Sequence, residues 1–243
     1  MAMRILITND DGVNAAQLVP LIQWCSKLGE VTTVVPKFEQ SGKSHGIEIH
    51  KAFEAKTVEL APGITAWAVD STPADCVRFA VLGLKLEFDL VISGVNRGLN
   101  VGTDIMYSGT VSAVMEAANL GLKAIALSTP PANYDKATEE LDKVFAFVAE
   151  HRLLDLSDIW NINIPASPKG IRITRQGGPY YSDNFLPQEN DLFLPQGIDV
   201  FAAADNYDRD TDTVLRGGMI SVMPLTTDRT NLAVYESLRK WND

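Results

Sequence analysis

Four short apolar runs, MRILIT at 3–8, VTTVV at 31–35, DLVISG at 89–94 and KAIALS at 123–128, constrain the fold of this chain more than any other feature. They lack the polar alternation of a strand with one wet face, so each reads as a strand covered on both sides. Between them apolar residues recur at helical spacing. The first set is Leu18, Leu21, Ile22, Cys25 and Leu28, the second Val77, Val81 and Leu84, the third Val111, Val114, Met115 and Ala118, and the fourth Leu141, Val144, Phe145 and Val148. Strand alternating with helix predicts right-handed βαβ units, and so an α/β fold with a Rossmann-like, doubly wound, mostly parallel sheet.

Such sheets collect ligands beyond the carboxyl ends of their strands. TNDDG, PKFEQSGKS and SGVNRGLNVG each follow a predicted strand directly. Thr72 before Pro73, and Ser108 before the third helical pattern, carry the signature of helix N-caps. Residues 52–69 alternate like a hairpin that turns at Pro62 and Gly63. Beyond about residue 165, Gly177, Gly178, Pro179, Pro187, Pro195 and Gly197 break the chain into loop and short strands. We read 1–243 as one domain: an α/β core over 1–165, and a C-terminal extension over 166–243 that ends in an amphipathic helix at 230–241. Leu232, Val234, Leu238 and Trp241 give that helix an apolar face for its own core or for another subunit.

Composition narrows the function. The apolar run near the N-terminus is too short for a signal peptide or a membrane span, and no membrane association is expected. Cys25 and Cys76 are the only cysteines and each lies in an apolar periodic segment, which points to buried thiols and a cytoplasmic protein. With 21 basic against 31 acidic residues the net charge is -10, the wrong sign for binding a nucleic-acid polymer. A small phosphate ester remains compatible, because a local cation and helix N-termini act within the roughly 8 to 10 Å over which salt screens the global charge.

Asp10 and Asp11 lie side by side at the exit of the first strand, between Asn9 and Gly12. Adjacent carboxylates repel unless a cation neutralises them, and hard ions such as Mg²⁺ prefer these oxygens. The same residues would also serve as a plain Asp-Gly turn feeding a helix. Ser41 follows the second strand as an oxygen donor or as part of a Ser-Gly turn. The stretch 93–110 is glycine-rich and without apolar period, so its backbone N–H groups can form an anion nest. Asn96 and Asn100 offer amide oxygens to a metal or amide nitrogens to a phosphate, and Ser108, Gly109 and Thr110 open a helix whose free N–H groups favour phosphate.

Several rival motifs fail on context. Gly42 to Gly46 fits G-x-S-x-G, yet a nucleophile elbow needs a helix after it, and IEIH at 47–50 alternates like a strand that takes His50 with it. His151 falls near the end of a surface helix. Lys37 stands where a P-loop requires glycine, no CxxC, HExxH or GxGxxG occurs, and NDDG is not the spaced DxD of a haloacid-dehalogenase-like phosphatase.

Together TNDDG at 8–12, QSG at 40–42, TPADCV at 72–77, SGVNRGLNVGTDIMYSGT at 93–110, TDT at 211–213 and ISVMPLTTD at 220–228 resemble the SurE family of metal-dependent nucleotidases, in order and spacing. The resemblance implies 5′- or 3′-nucleotidase activity on nucleoside monophosphates. It implies one divalent cation per subunit, Mg²⁺ or Mn²⁺, held by Asp10, Asp11, Ser41 and Asn96. A homodimer or homotetramer built partly through the C-terminal segment is also implied. In the mechanism expected from these residues, Asp10, Asp11 and Asn96 are catalytic, and Asn100, Ser108, Gly109 and Thr110 hold the phosphate. A non-catalytic nucleotide- or phosphate-binding module is the alternative. Two departures stand out: Ser71 replaces a glycine usual before TPADCV, and residues 176–204 depart further, with FLPQGIDVFAA at 193–203 in place of an aromatic, glycine-rich strand.

Overall fold

The structure is a computed structural model that describes residues 2–241. In chain order the elements are β1 (Met3–Thr8), α1 (Leu18–Cys25), β2 (Gly29–Pro36), β3 (Ala55–Ala61), β4 (Ile64–Val69), α2 (Pro73–Arg78), β5 (Leu90–Arg97) and α3 (Gly109–Asn119). There follow β6 (Ala124–Thr129), α4 (Leu141–Glu150), α5 (Leu153–Leu156), β7 (Ile159–Asn163), β8 (Ile171–Ile173), β9 (Tyr181–Pro187), β10 (Phe193–Asp199), β11 (Ile220–Leu225) and α6 (Leu232–Leu238). One sheet runs β3-β4-β2-β1-β5-β6-β7-β11-β8, and β9 with β10 forms a separate antiparallel pair. The pairs from β4 through β2, β1, β5 and β6 to β7 are all parallel, while β3 and β11 join antiparallel to β4 and β7. This is the expected doubly wound, mostly parallel sheet.

The apolar runs are unbroken because successive side chains feed two cores. Ile5, Ile7, Ile92, Ile125 and Leu127 pack with Leu18 and Leu21 of α1 and with Leu141 and Val144 of α4. Leu6, Val91, Ala124 and Ala126 pack on the other face, with Cys76 and Val77 of α2 and Val111 and Val114 of α3. Cys25 and Cys76 are therefore buried thiols in opposite cores. No helix among the described residues is long and apolar enough to cross a membrane.

Both predicted caps form. Thr72 Oγ1 accepts from Asp75 N at 3.1 Å, and Ser108 Oγ accepts from Val111 N at 3.1 Å. The hairpin at 52–69 is β3 and β4 around Pro62 and Gly63. Three expectations are corrected. Residues 47–50 form no strand, because their backbone is drawn instead to side chains: Glu48 N donates to Asp75 Oδ2 at 2.7 Å, and His50 N to Glu48 Oε1 at 2.7 Å. The second helical pattern is α-helical only to Arg78 and continues as a π-helical turn, Phe79–Gly83, with the Phe79 ring edge-on to Trp67 at 5.5 Å. The terminal helix is shorter than 230–241, running Leu232–Leu238 before a 3-10 turn at Arg239–Trp241, with no buried side chain.

The carboxyl end of β7 positions the loop after β5. Asn163 brackets the Asn100 backbone, accepting from its N–H and donating to its carbonyl at 2.8 Å each, and Asn161 donates to the same carbonyl at 2.8 Å. Both asparagines are fully buried, so losing one strands polar backbone away from water. Asn163→Ala should lower unfolding stability by about 2–4 kcal/mol, read from urea denaturation. A change under about 0.5 kcal/mol would mean the bracket is not what holds the loop.

Candidate active site at the carboxyl ends of β1, β2 and β5

The turn after β1 is closed by Asn9, whose side chain donates to the Gly12 carbonyl at 3.0 Å and accepts from Gly12 N at 3.1 Å. Gly12 has φ +86°, and a Cβ there would stand 3.0 Å from the Phe38 carbonyl carbon, so the loops after β1 and β2 touch only because it is glycine. Gln40 N completes this contact by donating to the Asp10 carbonyl at 2.8 Å. These bonds set Asp10 and Asp11 at the mouth of the sheet.

Asp10 is buried against the start of α3. The Thr110 hydroxyl donates to its Oδ1, and the backbone N–H groups of Gly109 and Thr110 face its carboxylate. A Cβ at Gly109 would lie 2.8 Å from Asp10 Cβ, so the helix can approach this closely only with glycine there. Burial pushes the Asp10 pKa up, and the Thr110 and Gly109 donors only partly offset it. Asp11 Oδ2 accepts from Arg97 N at 3.0 Å and from the Tyr134 hydroxyl at 3.3 Å. Burial, and then the charge of Asp10, raise its pKa to about 6. The donors that reach this pair are neutral, so they leave the repulsion between two adjacent carboxylates in place, and a cation bound there would relieve it.

Ser41 is the residue after Gln40, and its hydroxyl donates to Glu39 Oε1 at 2.7 Å. Further along the same loop, Ser44 is tied to the turn before α3, with its N–H donating to the Tyr107 carbonyl at 3.0 Å and its hydroxyl to the Met106 carbonyl at 2.7 Å. That bond occupies the hydroxyl of the G-x-S-x-G look-alike. His45 Nε2 lies 2.9 Å from Glu116 Oε2, and Arg78 reaches Glu116 Oε1 at 3.0 Å. Ser71 donates to the buried Asp75 at 2.6 Å, a bond that glycine at this position could not make.

Asn96 precedes Arg97 and so neighbours Asp11 through the backbone, and its Nδ2 donates to the Gly98 carbonyl at 2.9 Å. The three strand exits thus meet, bringing Asp10, Asp11 and Ser41 on the loops after β1 and β2 to the same end of the sheet as Asn96, near the end of β5. Asn100 is turned inward, its Nδ2 donating to Ser128 Oγ at 2.8 Å. Among the described residues no group of three or more His, Cys, Asp or Glu is disposed to hold a metal. A cation at Asp10 and Asp11 must therefore draw on hydroxyl, amide or water oxygens as well. A cleft of about 390 Å³ opens beside Asp11, lined also by Asn14, Glu39, Arg97, Tyr134 and Asp135.

Sequence reasoning missed Tyr134, which follows β6 with nothing local to mark it. It also missed Asn161 and Asn163, although two asparagines at alternate positions of the apolar WNIN segment are a readable sign of one polar face. Asp210 was missed as well: this buried carboxylate accepts from the N–H groups of Gly102 at 2.9 Å and of Gly177 and Thr211 at 2.7 Å, joining the β5 exit loop to the chain before β9.

Residues 5–183 match the family described as survival protein SurE. The chain is 37% identical to the 5'-nucleotidase SurE of Desulforudis audaxviator, over 98% of this chain and 97% of that protein. It is 39% identical to the 5'-nucleotidase SurE of Carboxydothermus hydrogenoformans, over 98% and 96%. The crystal structure of the SurE protein from Aquifex aeolicus superposes with a TM-score of 0.76 at 31% identity, covering 99% of this chain and 100% of that one. A family match over most of the chain, full-length relatives and a shared fold together establish that this chain belongs to the SurE family.

Proposed function

We propose that this chain is a divalent-cation-dependent phosphomonoesterase that hydrolyses nucleoside monophosphates, a 5′/3′-nucleotidase. The observation that carries this reading is the Asp10–Asp11 pair, with Asp10 buried against the N-terminus of α3 and Asp11 half-buried beside it. The 5'-nucleotidase names of the relatives support it. The donor set fits a hard cation: two carboxylates whose charged forms are disfavoured by burial and, at Asp11, also by the charge of Asp10, beside a serine hydroxyl and an asparagine amide. Asp10, Asp11, Ser41 and Asn96 would hold it. Ser41 keeps oxygen lone pairs while donating to Glu39, and the Asn96 bond to Gly98 commits its nitrogen, leaving Oδ1 as the ligand end. When bound, Mg²⁺ or Mn²⁺ supplies a Lewis acid for a phosphoryl oxygen and a more acidic water.

The protein's own part is to orient the ester. Ser108, Gly109 and Thr110 stand at the positive end of α3, where developing phosphoryl charge is favoured. Their closeness to Asp10 supports a phosphate site adjoining the cation site. Asn100 and Thr110 have less support as phosphate ligands, because the Asn100 amide is engaged with Ser128 and the Thr110 hydroxyl with Asp10. Tyr134 and Arg97 N hold Asp11 Oδ2, so Oδ1 would be the oxygen that meets the cation.

A homodimer or homotetramer completes the proposal. α6 leaves Leu232, Tyr235 and Leu238 exposed at 57%, 48% and 40%, a surface suited to burial against another copy.

Asp10→Asn and Asp11→Asn should each lower metal-dependent phosphate release from nucleoside monophosphates by at least about a hundredfold with the circular-dichroism spectrum retained, and EDTA should stop the wild type. Full activity in either variant contradicts the assignment. Cation binding should also be linked to pH. Because the Asp11 pKa is raised, its charged form disfavours folding, so the metal-free protein should lose stability as pH rises from the ordinary carboxylate range through about 6. Mn²⁺ needs the charged pair, so the Tm increment it gives should be small below that range and largest above it. An increment independent of pH argues against ligation by these carboxylates. Light scattering should read two or four chain masses, reduced by Leu238→Asp, and a monomeric wild type contradicts the oligomer.

A further inference from the structure

The chain between β2 and β3, residues 37–54, carries Ser41 and contains no helix or strand, so the bonds that tie it to its surroundings set its shape. Among the described residues the Ser41 side chain bonds only to Glu39, in the same loop. Its position is therefore inherited from the anchors on either side. Before it, Gln40 N donates to the Asp10 carbonyl at 2.8 Å. After it, Ser44 is tied to the turn before α3, and His45 Nε2 meets Glu116 Oε2 of α3 at 2.9 Å.

The His45 anchor differs from the others in charge and in shelter. The His45 side chain is 21% exposed and that of Glu116 8%, so water competes little for this bond. Burial would raise the Glu116 pKa, yet its carboxyl is held below the ordinary range, first by His45 and then by Arg78. An ionised carboxylate only accepts, so Nε2 carries the proton of this bond. Arg78 of α2 takes the other oxygen, Oε1, at 3.0 Å, and both oxygens of a buried carboxylate are thus engaged. Glu116 is a fixed point on α3, about two turns along the same helix from Ser108, Gly109 and Thr110. A bond to it sets the Ser41 loop relative to the start of α3, and so relative to Asp10, which packs there.

We propose that His45 is a positioning residue for the cation site: its bond to Glu116 holds the loop after β2 in the shape that brings the Ser41 hydroxyl to the cation of Asp10 and Asp11. The inference rests on the cation reading above and deepens it by naming what fixes the one ligand whose side chain is held only from within its own loop. Asp10 and Asp11 follow a central strand and need no such anchor. A ligand on an irregular loop binds only in the fraction of molecules whose loop has the competent shape, and apparent affinity falls with that fraction. His45 keeps the fraction high.

The test titrates Mn²⁺ alone into the full chain by calorimetry, for the wild type, His45→Ala, His45→Gln, Ser41→Ala and the Ser41→Ala/His45→Ala double variant. His45→Ala should weaken binding at least about fivefold, and His45→Gln, whose amide can donate to Glu116 from near the place of Nε2, should restore it. In the Ser41→Ala background, which binds more weakly through the remaining ligands, the same change should cost less than about twofold, because His45 acts through Ser41. Hydrogen exchange of the Gln40 and Ser44 amides in the metal-free protein should quicken in His45→Ala and slow again in His45→Gln. If His45→Ala does not fold, His45→Asn, too short to reach Glu116, takes its place. An unchanged affinity, a loss of equal size in both backgrounds, or a Ser41→Ala protein that binds as tightly as the wild type overturns the proposal. Wild-type protein that bound no Mn²⁺ would refute the cation reading instead, and exchange at Gln40 and Ser44 would still decide whether His45 holds the loop.

Discussion

Two neighbouring carboxylates partly withdrawn from water beyond the end of a central strand are costly to hold charged, and the loops at that end of the sheet are organised around them. Asp10 is buried and Asp11 half-buried, and burial raises both pKa values. Surrounding groups soften this without removing it: the start of α3 leans on Asp10, and Arg97 N and Tyr134 hold one oxygen of Asp11. Such an arrangement costs stability when both groups are charged, and on the proposed function a doubly charged ion would offset that cost.

The loops are fixed from outside the site. Asn163 and Asn161 at the end of β7 grip Asn100, Asp210 grips Gly102 and Gly177, and Asp104 grips the base of the hairpin. The irregular segment after β2 is held at Gln40, Ser44, His45 and Glu48 by bonds to the turn after β1, to the turn before α3, and to the helices α2 and α3. Residues outside any strand or helix are thereby given one conformation, as catalytic geometry requires.

The parallel sheet was legible because burial on both faces leaves its mark on consecutive residues: ILIT at 5–8 cannot alternate when Ile5 and Leu6 serve opposite cores. The acidic pair, the three strand exits and both N-caps were legible for similar local reasons. What was not legible is set by distant partners. IEIH looks like a strand, yet Glu48 N is taken by Asp75 of α2, a competition that no window of sequence displays. Tyr134 reaches Asp11, and Asp210 reaches the loop after β5, from far along the chain. The Asn100 side chain was read as a ligand for metal or phosphate, and its packing against Ser128 depends on how β6 and β7 lie beside β5.

The most direct measurement is anomalous X-ray scattering from crystals grown with Mn²⁺. The account expects one ion per subunit within about 2.3 Å of oxygens from Asp10, Asp11, Ser41 and Asn96. An ion bound elsewhere, or these four side chains pointing to no common centre in its presence, would contradict it.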